Sequence, residues 1–221
     1  MHRFVSLSAL LVICAAPATA QVCGGYSSFA NGMFQVGGGM SFESEARAYE
    51  ATFSAGSPKG IFGGASIGRI DIKDASEGAT NFSTGVGYAF PVKSRAQICP
   101  IVGYRHARMD DIDTGFGSTL RIRSNAYQLG GAMGTVLSFS PTIDFSPFIS
   151  AAYVHEKLTL REVGVGSVSA SDDYGTIGGG VGFVFKKALT VQPSVMIPFG
   201  SDENDPVFKL GFSISFGRRA Q

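Results

Sequence analysis

The chain has no tryptophan and only 3 cysteines, and charged residues occupy just 16% of its 221 positions. Beyond the first twenty residues no apolar run approaches the roughly 18 consecutive residues that a membrane-crossing helix requires, so a helical membrane protein is excluded. Net charge is equally scarce. Setting aside Arg3, which belongs to the leader described below, leaves 17 of the 18 basic residues against 17 acidic ones. That balance argues against a nucleic-acid partner or a generally basic membrane-surface role. What is abundant is glycine, with 30 residues, and phenylalanine, with 18. Such a chain is poor in helix formers and rich in strand and turn chemistry, and it reads as all-β.

Residues 1–20 have the layout of a secretory signal peptide: His2-Arg3, an apolar run over 4–16, then Ala18-Thr19-Ala20 as an A-x-A cleavage site. Cys14 leaves with it. The preceding Leu11-Val12-Ile13 lacks the small residue expected before a lipidated cysteine. About 200 residues remain, one domain by length. We divide the chain into a signal peptide (1–20), an N-terminal periplasmic segment (21–29), a barrel (30–217) and a tail (218–221). Cys23 and Cys99 survive into an oxidising compartment, where two thiols in a small exported protein are expected to pair.

From residue 32 onward the hydrophobic pattern has a period of two, the signature of strands. Ten strands are expected, at 32–42, 47–55, 60–72, 80–90, 97–108, 120–139, 145–160, 174–186, 189–197 and 207–216; eight is the alternative count. Each is near or above the roughly 9 to 11 residues that cross a bilayer core as a tilted strand. Connections alternate in character. Short turns at 57–59, 91–96, 140–142 and 186–188 carry Pro or Lys. Longer ones at 43–46, 73–79, 109–119, 161–173 and 200–206 hold every acidic residue except Glu50, Asp71, Asp144 and Glu156. Short turns on one rim and long loops on the other describe an up-and-down antiparallel transmembrane β-barrel, with the loops outside. An even strand count returns both termini to the turn rim.

Face assignments agree. Phe82, Val86, Tyr88 and Phe90 alternate with Ser83, Gly85, Gly87 and Ala89, and Ile177, Val181, Phe183 and Phe185 alternate with glycines. A soluble barrel would carry its bulk inside; here the small residues are expected to line the lumen and inner bulk is not expected. Phe42, Tyr49, Phe90, Tyr104, Phe139, Phe185, Phe199 and Phe216 fall near strand ends, as interfacial girdles do. In 208–216, Phe208, Leu210, Phe212, Ile214 and Phe216 share one side. Lys209, Gly211, Ile214 and Phe216 stand where the C-terminal assembly signal of bacterial outer-membrane β-barrels has its polar residue, glycine, apolar residue and closing aromatic. Here five residues, 217–221, follow the aromatic. The chain thus resembles the small outer-membrane β-barrel superfamily. That resemblance implies a bacterial outer-membrane location, lipid and the barrel assembly machinery as partners, and a monomer.

Candidate chemistry is thin. By alternation Glu50 and Arg105 point inward and form a candidate lumen charge cluster that plugs a narrow barrel rather than lining a wide channel. His106 and His155 invite comparison with outer-membrane hydrolases, yet His155 has no Asp two residues before it, and neither histidine is followed by Ser two residues later. No activated nucleophile is in view. The acids Asp110, Asp111, Asp113, Asp202, Glu203 and Asp205 lack EF-hand spacing and read as solvated loop, so no metal is expected. The runs Gly37-Gly38-Gly39 and Gly178-Gly179-Gly180 precede no helix, so no nucleotide or other cofactor is expected. Cys99 begins a strand at the turn rim facing inward. A bridge to Cys23 would lay the N-terminal segment across that mouth. The expectation is a non-enzymatic envelope-structural or surface-interaction barrel whose acidic loops meet an extracellular ligand. The alternatives are a narrow channel for ions or small solutes and, third, an outer-membrane hydrolase.

Overall fold

The structure, a computed structural model, describes residues 34–57, 60–73, 78–92, 96–113, 119–162, 164, 166–186, 188–200 and 205–217, with 110–113 described by their backbone. The signal peptide, the N-terminal segment with Cys23, the tail and most loop tips lie outside this set.

The strands are β1 (Phe34–Phe42), β2 (Ala46–Gly56), β3 (Ile61–Ile72), β4 (Ala79–Tyr88), β5 (Phe90–Pro91), β6 (Ala96–Asp113), β7 (Thr119–Thr135), β8 (Leu137–Ser140), β9 (Ile143–Glu162), β10 (Gly166–Phe185), β11 (Leu189–Phe199) and β12 (Val207–Phe216), with no helix among the described residues. β5 continues β4 past a break at Ala89, and β8 continues β7 past Val136, so the twelve segments form ten staves. All pairings are antiparallel between sequence neighbours, and β1 pairs β12 from Phe34↔Phe216 to Phe42↔Phe208. The wall is therefore a closed ten-strand barrel, with no edge left to template aggregation.

Every stave sorts its side chains by parity. The outer face carries exposed apolar residues all round, among them Val36, Ile67, Leu129, Ile149, Ile177 and Phe212. Ile67 is 65% and Leu129 63% exposed. In water such a continuous greasy exterior would be unstable; with lipid as the outer solvent it is the favourable arrangement, because the closed wall also satisfies its own backbone groups. Aromatic contacts band the short-turn end of the wall. Near the short turns Phe34 stacks on Phe53 and Phe216, at 6.3 and 5.9 Å between ring centres, and Tyr88 tilts on Phe90 at 4.4 Å. Midway along β6 and β7, Tyr104 meets Tyr127 at 5.3 Å. The short turns are tight: Gly60, at φ 96°, returns its N–H to the Ser57 carbonyl at 3.0 Å, a conformation suited to glycine.

Three expectations need correction. The stretch 161–173 is not a loop: β9 and β10 stay paired out to Glu162↔Gly166, so this hairpin stands well past β11, which joins β10 only from Gly175↔Phe199, while β7 accompanies β9 to Leu120↔Glu162. Likewise β6 runs to Asp113, with a bulge between Met109 and Ile112. Finally, the lumen does hold bulk, including Phe62, Ile70, Met109, Ile122 and Val154. The wall around them is small enough to admit it: Gly87 has no side chain because the Phe62 ring occupies that space, 2.5 Å from where a Cβ would sit.

Candidate functional site in the lumen

Alternation places Arg105 on the inner face of β6, with Cys99, Ile101, Ala107 and Met109 on the same side. Ser124 of β7, Glu156 of β9 and Tyr174 of β10 are also buried, so four consecutive staves converge on one carboxylate. Arg105 Nη2 lies 3.0 Å from Glu156 Oε2, and the two side chains are 5% and 7% exposed. Tyr174 donates its hydroxyl to the same oxygen at 3.1 Å, and the Ser124 hydroxyl donates to Oε1. An ion pair taken out of water is tolerable only when its remaining hydrogen-bonding capacity is used, and three donors on Glu156 do that for the carboxylate. Around Tyr174 the lumen is packed by Ala126 and Val154.

Toward the long-loop rim this network is capped by apolar side chains from many staves. Ala46, Ala48, Ile70, Ala79, Ala107, Met109, Ile122, Met196 and Val207 form one buried cluster, with Ile72, Leu120, Leu158 and Leu160 against it. Toward the short-turn rim the wall is polar in one sector. Gln35 receives the Ser54 hydroxyl at 3.4 Å and donates to Ser215 at 3.2 Å, while Ser66 and Ser83 share a hydrogen bond of 2.7 Å. In another sector Phe62, Ala89, Cys99, Ile101 and Ala132 pack together. The interior is thus layered: apolar at the loop mouth, ionic in the middle, part hydroxyl and part apolar below.

Of the two charges grouped from the sequence, Arg105 is buried against Glu156, whereas Glu50 sits on the inner face of β2, half-buried, opposite Gly39 and Gly68. Glu156 was the residue missed. Its signal was available, since Tyr153 and His155 are outward and Glu156 falls on the other parity. Cys99 is fully buried on the inner wall, and Cys23 lies outside the described residues. In β12, Lys209 and Gly211 face inward while Ile214 and Phe216 face out, with Phe216 against Phe34. Neither histidine reaches the lumen. His106 Nδ1 contacts Asn125 Oδ1 at 3.0 Å, and His155 Nδ1 contacts Asp173 Oδ1 at 2.8 Å, both on the outer wall. Asn81, which opens an Asn-Phe-Ser sequence, is buried and inward.

No family model matches the chain, and no curated protein sequence does either. Among solved structures it is similar to the translocator domain of the autotransporter NalP from Neisseria meningitidis, with 14% identity, 97% of this chain and 96% of that one covered, and a TM-score of 0.51. It also matches the N-terminal β-barrel domain of Pseudomonas aeruginosa OprF, with 11% identity, coverage of 84% and 98%, and a TM-score of 0.42. A third match is Ail, the attachment invasion locus protein of Yersinia pestis, with 14% identity, coverage of 84% and 97%, and a TM-score of 0.41. At 14% identity the likeness to the NalP translocator domain is one of fold alone.

Proposed function

We propose that this chain is a bacterial outer-membrane barrel that acts as a non-enzymatic envelope-structural or surface protein, its lumen filled by its own side chains. The observation that carries the reading is the apolar cluster at the loop mouth, centred on Ile70, Met109, Ile122 and Met196, stacked over the buried Arg105–Glu156 pair. Hydrated ions crossing this path would lose water at the first layer and meet a fully engaged carboxylate at the second. The exporting leader, the terminal-strand pattern and the apolar exterior support the location. Lipid and the barrel assembly machinery are the expected partners. Use of both wall edges in the β1–β12 seam supports a monomer. No cofactor has a role in this reading, and Ser124 donates to Glu156 with both histidines outside the lumen, which supports a non-catalytic interior. Acidic loops meeting an extracellular ligand, and a Cys23–Cys99 tether across the turn-rim mouth, belong to the same proposal.

Single-channel recording in planar bilayers tests it. The parent barrel is expected to give no steady conductance. Replacing Ile70, Met109 and Ile122 together by Ala is expected to open a small one. A steady conductance from the parent would establish the channel reading instead.

A further inference from the structure

The inner faces of β2, β3 and β4 stand in register as three short rows. The upper row, toward the long loops, is Ala48, Ile70 and Ala79, all part of the buried apolar cap. The lower row, toward the short turns, is Thr52, Ser66 and Ser83. Between them lie Glu50, Gly68 and Asn81, so the centre of this patch carries no side chain. Asn81 leans into that central place: its Oδ1 is 2.5 Å from where a Cβ on Gly68 would sit, and Glu50 Cβ is 3.3 Å from the same point. Asn81 is only 4% exposed, and its Oδ1 has no hydrogen-bond partner. A buried acceptor without a donor is costly, which makes this oxygen a pointer to a ligand that donates.

The neighbours identify that donor. Glu50 is half-buried, and among the described residues no hydrogen bond or ion pair engages its carboxylate. Its Oε1 rests 3.4 Å from the Cβ position of Gly39, so glycine flanks the side chain on both sides and leaves it room to turn toward Asn81. Arg105, across β4 from this patch, turns to Glu156 instead. Ser66 and Ser83 share a hydrogen bond of 2.7 Å just below, and their oxygens keep capacity to accept another. The place over Gly68 is thus bounded by a carboxylate, an amide oxygen and a hydroxyl pair, under an aliphatic roof. One negative charge and three acceptors match a primary ammonium group, which brings one positive charge and three N–H donors. A divalent metal takes about six or more oxygen ligands, and no group of three His, Cys, Asp or Glu suited to one occurs among the described residues. We infer that this place binds the primary ammonium group of a small amine, with Glu50 as counter-ion and Asn81 and the serine pair as orienting acceptors. The apolar cap bars the loop mouth, so the amine enters from the turn rim. The site is independent of whether ions cross the barrel.

The test uses the full mature barrel, isotopically labelled, in zwitterionic micelles. Methylammonium chloride is titrated in at constant ionic strength while NMR follows the Glu50 carboxyl carbon and the Asn81 side-chain amide. Both signals are expected to shift together and saturate. Glu50→Gln and Asn81→Leu, each read on the signal that remains, are expected to bind at least about tenfold more weakly, the loss of roughly one charge-assisted contact or more. Sodium chloride and tetramethylammonium chloride are expected to give no saturable shift, because neither cation has an N–H to donate. Equal saturation with sodium would assign the place to a metal ion, and equal saturation with tetramethylammonium would reduce the effect to charge alone. Either result, the lack of a saturable shift with methylammonium, or unchanged affinity in both variants would overturn the inference. Retention of the heat-sensitive compact gel band by Glu50→Gln separates weaker binding from loss of the barrel itself.

Discussion

Arg105 and Glu156 are 51 residues apart in sequence and 3.0 Å apart across the inside of the barrel, held on staves that flank β7. Removing one member leaves the other charged and buried. Arg105→Ala or Glu156→Ala is therefore expected to lower unfolding stability by about 3–5 kcal/mol, whereas Arg105→Met with Glu156→Leu is expected to recover most of it. Urea titration of the barrel in micelles, followed by tyrosine fluorescence because the chain has no tryptophan, measures both. A double variant as unstable as the singles would contradict the pair's assignment.

Gly87 and Phe62 face each other inside the wall, and a Cβ on Gly87 would stand 2.5 Å from the Phe62 ring and 2.8 Å from the Pro100 carbonyl oxygen. Gly87→Val is expected to cost about 1–3 kcal/mol by overpacking. Adding Phe62→Ala removes the ring contact and leaves the backbone one, so the two effects should combine to less than their sum. Strict additivity in the same urea assay would show that the ring and the glycine are not coupled.

Asp173 stands on the exposed part of β10, where hydrogen bonds from Tyr153 and His155 hold its carboxyl below the ordinary value of 3.8. A depressed folded value stabilises the hairpin above the ordinary value, and the contribution disappears as pH falls through the lower one. A carboxyl-carbon NMR titration should give a midpoint under 3.8 that rises in Tyr153→Phe. A parent midpoint at or above the ordinary value would rule this out.

Mass spectrometry after alkylation without reduction reads the cysteines of the mature chain. The proposed Cys23–Cys99 bridge predicts no adducts before reduction and two after it. Two adducts without reductant would remove the tether from the functional reading.

Much of the wall was legible because lipid on one side and a tight lumen on the other impose an uninterrupted period of two; the ten staves and their rims follow from it. What escaped has a common cause. In 166–173, Gly-Ser-Val-Ser-Ala-Ser-Asp-Asp, both faces are wet and Val168 is the one large apolar residue, so no greasy face marks the strand and it reads as loop. Ile70, Met109, Ile122 and Met196 each occupy one inward place on a different stave. No single strand advertises a core, and the cluster exists only once the sheet closes. Arg105 was placed inward correctly by parity, but its partner depends on the stagger between staves, which sets β9 rather than β2 against it.

The seam between β1 and β12 makes completion of this object all or nothing. The strand translated first among the ten waits for the one translated last, and until they meet two raw margins of amides and carbonyls face hydrocarbon, where each unsatisfied group is worth several kcal/mol. A shortened product ending before Val207 would have no way to finish its circumference, and it would present itself to the cell's proteases as an open ribbon rather than as a slightly smaller cylinder.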